Sequence, residues 1–157
     1  MPEPVEYRVV THLQTALRAI AVAGGYFYDV AALAVKLDAN STVEDLVGDS
    51  RLRPFYILEV GTSAFGYQPA HRVNVVMPIQ IHAVHESDVT ADEDWIKVFF
   101  RLCADIERAI AVDITRGGLA TDTRVQTREF RTYEGAQVWA TVKAEVRVPR
   151  VYGAPNG

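Results

Sequence analysis

Between Thr90 and Gly118 the chain places Trp95, Val98, Phe99, Leu102, Ile106, Ala109 and Ile110 at steps of three and four. That unbroken stripe has the 3.6-residue period of an amphipathic α-helix. Its start reads Thr90-Ala-Asp-Glu93, the spacing of a capping box, in which two side chains satisfy two otherwise orphaned amide donors. Glu93 with Lys97, and Arg101 with Asp105, lie four apart on the outer side, each pair supporting the helix by a few tenths of a kcal/mol. Gly117-Gly118 caps the end. About 23 helical residues would reach roughly 34 Å, against a radius of gyration of about 15 Å for a domain of this length. Such a helix has to cross the whole face of whatever sheet it packs on.

The sheet is written around it. Val138 to Val148 alternates strictly, with Val138, Ala140, Val142, Ala144, Val146 and Val148 on one side and Trp139, Thr141, Lys143, Glu145 and Arg147 on the other. That pattern predicts a half-buried antiparallel strand. Val125 to Thr132, mostly polar, reads as an exposed strand joined to it through a turn at Glu134-Gly135-Ala136. Upstream, Arg72 to Glu86 predicts a long strand with Val73, Val75, Met77, Ile79, Ile81 and Ala83 on one face, and Asn74, Gln80, His82 and Glu86 on the other. Pro78 in its middle cannot donate to a ladder and implies an edge position or a bulge.

Earlier segments are shorter. Val9, Leu13, Ala16, Leu17 and Ile20 predict an amphipathic helix over Val5 to Ala21, stopped by Gly24-Gly25. Tyr26 to Leu37 reads as a strand with Ala31, Leu33, Val35 and Leu37 on one face. Asp38 to Arg53 is a polar excursion in which Ser41-Thr42-Val43-Glu44 predicts a single helical turn. Pro54 leads into a short strand, Phe55 to Val60, and Gly61 to Pro69 reads as a loop carrying Phe65 and Tyr67.

Helix, three strands, a long helix and a hairpin describe an α+β domain of two layers. The sheet is mostly antiparallel, with a mixed sheet as the variant, and both helices pack on one face. At 157 residues, 49% hydrophobic and 23% charged, residues 1–157 suit one ordinary domain, with arms at 1–4 and 149–157. The net charge of −4 argues against avid binding to phosphate backbones, which needs clustered Lys and Arg. With Cys103 as the one cysteine there is no intrachain disulfide to expect. Glu3 and Glu6 make the N-terminus unlike a secretory leader, and no apolar run approaches the roughly 18 residues of a membrane span. A cytoplasm, or a particle assembled in one, is the expected compartment.

Chemistry-bearing motifs are thin. The glycine-bearing run Gly61 to Gly66 lacks the lysine and following helix of a phosphate cradle. His82 and His85, three apart on a strand, point to opposite faces and read as solvated histidines rather than metal ligands. Cys103, beside the apolar stripe, reads as a core filler. Asp105, Glu107 and Asp113, interleaved with Arg101 and Arg108, read as a solvated charged face. No catalytic, metal or cofactor site is expected, and the chain does not read as an enzyme.

The run Asp113-Ile114-Thr115-Arg116-Gly117-Gly118-Leu119, closing a long helix and followed by a strand, resembles the helix-turn segment of tail terminator, or minor tail, proteins of long-tailed bacteriophages. The element order agrees: an N-terminal helix, a strand opening at Arg53-Pro54, a long strand ending near His85-Glu86, and a closing hairpin. The resemblance implies a structural virion protein at the tail–neck junction. It would form a ring, generally a hexamer, that caps the tail tube, ends tail growth and meets the head connector, with DNA passing through the lumen without specific binding. Another neck or head-completion protein, or a small ligand-binding α+β domain, is the alternative.

A head-to-tail ring needs two different patches on each subunit. Phe65 and Tyr67 are candidates for one, since aromatics of this kind concentrate at interface cores, unless their loop folds back on its own core. Asp45 and Asp49 lie in the richest acidic stretch, Arg51 and Arg53 border it as candidates for inter-subunit ion pairs, and Tyr152 lies on the C-terminal arm. Six copies at −4 each would carry about −24, a sign that keeps DNA from sticking in a lumen. Thr90, Glu93, Gly117 and Gly118 are assigned to caps and turns.

Overall fold

The computed structural model describes residues 3–37, 54–68, 72–86, 92–133 and 137–151. Among these the elements are α1 (Val5–Arg18), β1 (Ala32–Leu37), β2 (Phe55–Val60), β3 (Ala64–Gln68), β4 (Arg72–Glu86), α2 (Asp92–Ala111), β5 (Asp122–Tyr133) and β6 (Gln137–Val151). The six strands form one mixed sheet in the order β1-β2-β4-β6-β5, with β3 paired to β4. Only β1 and β2 run parallel; the remaining pairs are antiparallel. This is an α+β fold with both helices on one face. Val9, Leu13 and Leu17 of α1 and Val98, Leu102 and Ile106 of α2 share one core with Val75, Ile79 and Ile81 of β4 and Val142 and Val146 of β6.

The stripe that predicted α2 is the stripe it buries. Leu102, Cys103 and Ile106 are sealed from solvent, and burial pushes the Cys103 thiol up to about 12. The helix has 20 residues, about 30 Å at 1.5 Å per residue, and ends at Ala111 rather than at the glycine pair. Thr90 of the predicted capping box lies outside the described residues, as do the turn at 134–136 and the excursion 38–53. Tyr133 nonetheless faces Gln137 across the closing hairpin.

The strand expected from Tyr26 is confined to Ala32–Leu37. Ahead of it Val22–Gly24 forms a 3-10 turn closed by Gly25 at φ 84°, and Asp29 Oδ1 accepts from the Val22 N–H at 2.7 Å. Gly25 therefore ends this turn, not α1, which stops at Arg18. The expected loop 61–69 is largely β3, with Phe65 opposite Val75 and Tyr67 opposite Val73. Residues 149–151 of the expected C-terminal arm belong instead to β6, where Pro149 and Arg150 pair with Asn74 and Val73.

Pro78 does not mark an edge strand, since β4 lies inside the sheet. On one side it faces Glu145 of β6. On the other, β2 pairs with β4 from Ile79 onward and β3 pairs with it up to Val76. The Pro78 carbonyl accepts from the Gly61 N–H at 2.9 Å. N–H and C=O of one extended residue point the same way, so the missing donor falls where the chain passes from β2 to β3. A Cβ on Gly61 would meet Pro78 Cγ at 3.1 Å, so that crossing is tight.

Candidate assembly surface

Three arrangements of polar side chains stand out among the described residues, and each is committed within the chain. The first joins α2 to the 3-10 turn region. Asp105 accepts from the Phe27 N–H (2.9 Å) and the Tyr28 N–H (3.0 Å). Its side chain is buried, and that desolvation pushes its pKa up against the pull of the two amides. Arg108 lies 5.0 Å from the Tyr26 ring and donates to the Gly25 carbonyl. Arg101 lies 5.2 Å from the Phe27 ring. Instead of a solvated charged face, positions 101, 105 and 108 clamp a loop; position 105 falls three after Leu102, on the buried side.

The second arrangement is the Asp113–Gly118 turn. Arg116, Gly117 and Gly118 have φ of 52°, 70° and 80°, a left-handed run that only glycine adopts without strain. Such a run aims successive N–H groups into one concavity that suits an anion, and the chain supplies its own. Asp113 accepts from the Thr115 N–H (2.9 Å), the Thr115 hydroxyl (2.7 Å) and the Gly117 N–H (2.6 Å). Those bonds, led by the Thr115 hydroxyl, hold its pKa down to about 2. Arg116 turns inward, fully buried, and donates to the Ile110 carbonyl at the end of α2, as cations do at helix C-termini. Among the described residues its Nε and Nη1 have no hydrogen-bond partner.

The third is a ladder on the sheet face away from the helices. Lys36 lies 3.4 Å from Glu59, Glu59 3.1 Å from His82 Nε2, and His82 Nδ1 2.9 Å from the Thr141 hydroxyl. A hydroxyl, imidazole and carboxylate in series are the residue types of a nucleophilic relay. Here, however, Thr141, His82 and Glu59 are all buried, which leaves the hydroxyl no open approach. His82 is thus not a solvated histidine. Ile57, Val84 and Trp139 on the same face are buried as well, so β6 is dry on both faces over its first half rather than half-buried throughout. Among the described residues no three His, Cys, Asp or Glu side chains converge as metal ligands, and no helix is long and apolar enough to cross a membrane.

Exposed apolar side chains occur on α1, in the turns and at the sheet's margins, and two of the margins carry aromatics. β3 is an edge strand on which Phe65 is 55% and Tyr67 75% exposed; opposite core-facing Val75 and Val73, both lie on the helix side of the sheet. The loop does not fold its aromatics into its own core. β5 forms another margin, at the opposite end of the strand order from β1. There Phe130 is 43% exposed and stacks edge-on against Phe99 at 5.1 Å. Ile96 and Phe100, one turn apart on α2, are half exposed, and Phe100 lies edge-on against the same Phe99 ring at 5.1 Å. A register shift between Val125 and Thr127 bulges β5, a common device on edges.

Of the residues singled out in the sequence, Phe65 and Tyr67 come together on β3, and Gly117 and Gly118 in the turn. Glu93 lies in the first turn of α2, its side chain outside the described residues. Asp45, Asp49, Arg51, Arg53 and Tyr152 also lie outside them. The Ile96–Phe100–Phe130 margin was missed because Ile96 and Phe100 sit off the main stripe, and Phe130 is one aromatic in a polar strand. No protein-family model matches the chain, and no curated protein is similar to it.

Proposed function

We propose that the chain is a ring-forming structural protein of the phage tail-terminator kind, which caps a tail tube and meets the head connector. The observation that carries this reading is the pair of unlike apolar margins, Phe65–Tyr67 on β3 and Ile96–Phe100–Phe130 on α2 and β5, at opposite ends of the β3-β4-β6-β5 run. Two different patches on opposite margins suit a head-to-tail contact, which closes into a ring when the rotation allows. The helix-turn resemblance adds the family. A structural role is further supported by three carboxylates of α2 and its turn that are committed within the chain: Asp105 to amides, Glu107 to Arg128, Asp113 to its own turn.

Native mass spectrometry across concentration, alone and with tail tubes, tests the reading. Rings are expected, and Phe65→Glu or Phe130→Glu should convert them to monomers while leaving the thermal melt within about 1 kcal/mol of the parent, since both side chains are half in water. Monomers under every condition would sink the proposal. Electron microscopy of tubes with added protein supplies the finer test: capped ends of fixed length identify a terminator, binding only to the connector another neck protein.

A further inference from the structure

We propose that β3 of one copy adds to β5 of the next, seating Phe65 and Tyr67 on the Ile96–Phe100–Phe130 margin. This rests on the ring reading above and names which surfaces meet.

Direction comes first. β3, β4, β6 and β5 are successive antiparallel neighbours, so β3 and β5 of one copy run opposite ways. Copies repeated about an axis along the strands then present β5 and the following β3 antiparallel, and the alternation continues unbroken across the joint. Side comes next. Phe65 and Tyr67 share the face of core-directed Val75 and Val73, and Phe130 shares that of Ala140. Continuing the sheet brings all of them to the helix side, where α2 carries Ile96 and Phe100.

Length and register narrow the contact. Beyond the bulge at Val125/Thr127, residues 127–133 form a regular run, long enough for the five residues of β3. With Phe65 opposite Phe130, Gly66 faces Glu129 and Tyr67 faces Arg128. That register adds Phe65 to the edge-on Phe99–Phe130 pair, a favourable aromatic geometry. It also sets the Tyr67 ring beside the guanidinium that Glu107 holds in place, a cation–π arrangement. The short glycine-bearing strand thus presents aromatic side chains with no charge between them, to a margin on which Arg128 is already paired with Glu107 and Glu129 with Lys143.

The test is covalent trapping in the chain bearing both Gly66→Cys and Glu129→Cys, which leaves every aromatic in place. A Cβ at Gly66 meets only the Asn74 carbonyl, at an ordinary 3.6 Å, and Cys103 is buried with its thiol pushed up to about 12, so the native cysteine stays silent. Under conditions where native mass spectrometry shows rings, a short bismaleimide should give a ladder of covalent oligomers ending at the ring size. Neither single variant should exceed dimers. Rings without a ladder would overturn the edge pairing and leave the ring reading intact. Absence of both rings and ladder would bring down the ring reading, and the pairing with it.

Discussion

Two segments lean on α2 through a carboxylate, and they do so in opposite ways. The 3-10 turn region is held from outside by Asp105, a side chain of the helix itself, buried beneath Phe27 and Tyr28. The Asp113–Gly118 turn is held from within by its own first residue, which remains partly in water. Both carboxylates accept backbone amides. Burial drives the first pKa up, whereas hydrogen bonding in the open drives the second down. The same bond type therefore serves long-range docking in one place and local chain reversal in the other, and the difference lies in solvation.

That contrast can be broken most directly at its buried end. Asp105→Ala orphans two amide donors in a part-buried setting, each loss worth about 1–3 kcal/mol. Urea melts should show Asp105→Ala costing more than Asp113→Ala, and a reversed order would refute the division. Glycine substitutions come next. Gly25→Ala must hold φ 84° and bring its Cβ within 3.0 Å of the Arg108 guanidinium, so it should exceed the cost of Gly117→Ala. The latter has φ 70° but only His12 nearby at 3.5 Å, and should lose about 1–2 kcal/mol from conformation alone.

The smallest effect is the most discriminating, because its two halves differ in sign. Asp113 has a folded pKa of about 2 against an ordinary 3.8. The unfolded chain binds more protons between those values, so stability from Asp113 is fully present above about 4 and is lost as the pH falls towards 2. Asp105 is raised above 3.8. There the folded chain binds more protons, so its contribution declines as the pH rises from 3.8 through the folded pKa. Acid-range melts of Asp113→Asn and Asp105→Asn against the parent should diverge in opposite directions; parallel curves would show that the two sites are not solvated differently.

Periodicity made the large elements legible. The stripe from Val98 to Ile110 and the alternation in β4 and β6 mark the face turned to the helices, and a helix and two long strands formed there, although the opposite face is also buried in part. Residues whose role depends on distant partners were not legible. His82 has Glu59 and Thr141 as partners, 23 and 59 positions away, and nothing local distinguishes it from a surface histidine. Asp105 looked like one charge among several because its amide partners lie 77 and 78 positions upstream. β3 was hidden by Gly66, since five residues with an internal glycine carry little strand signal. The two margins became visible only when the sheet order placed β3 and β5 at opposite ends of one run.

Pro78 makes the sheet jointed. β4 is one continuous strand, yet on that flank it serves two tenants, and position 78 offers them a carbonyl, taken by the Gly61 N–H, but no donor. An extra residue inserted between Gly61 and Ser63 should therefore slide β3 along β4 while leaving the register of β2 as it is. Hydrogen exchange would show this as altered protection at residues 64–68 with residues 55–60 unchanged. The β3 margin can in that sense be retuned in length or register separately from the core, which gives one half of the sheet freedom to diverge while the other keeps the fold.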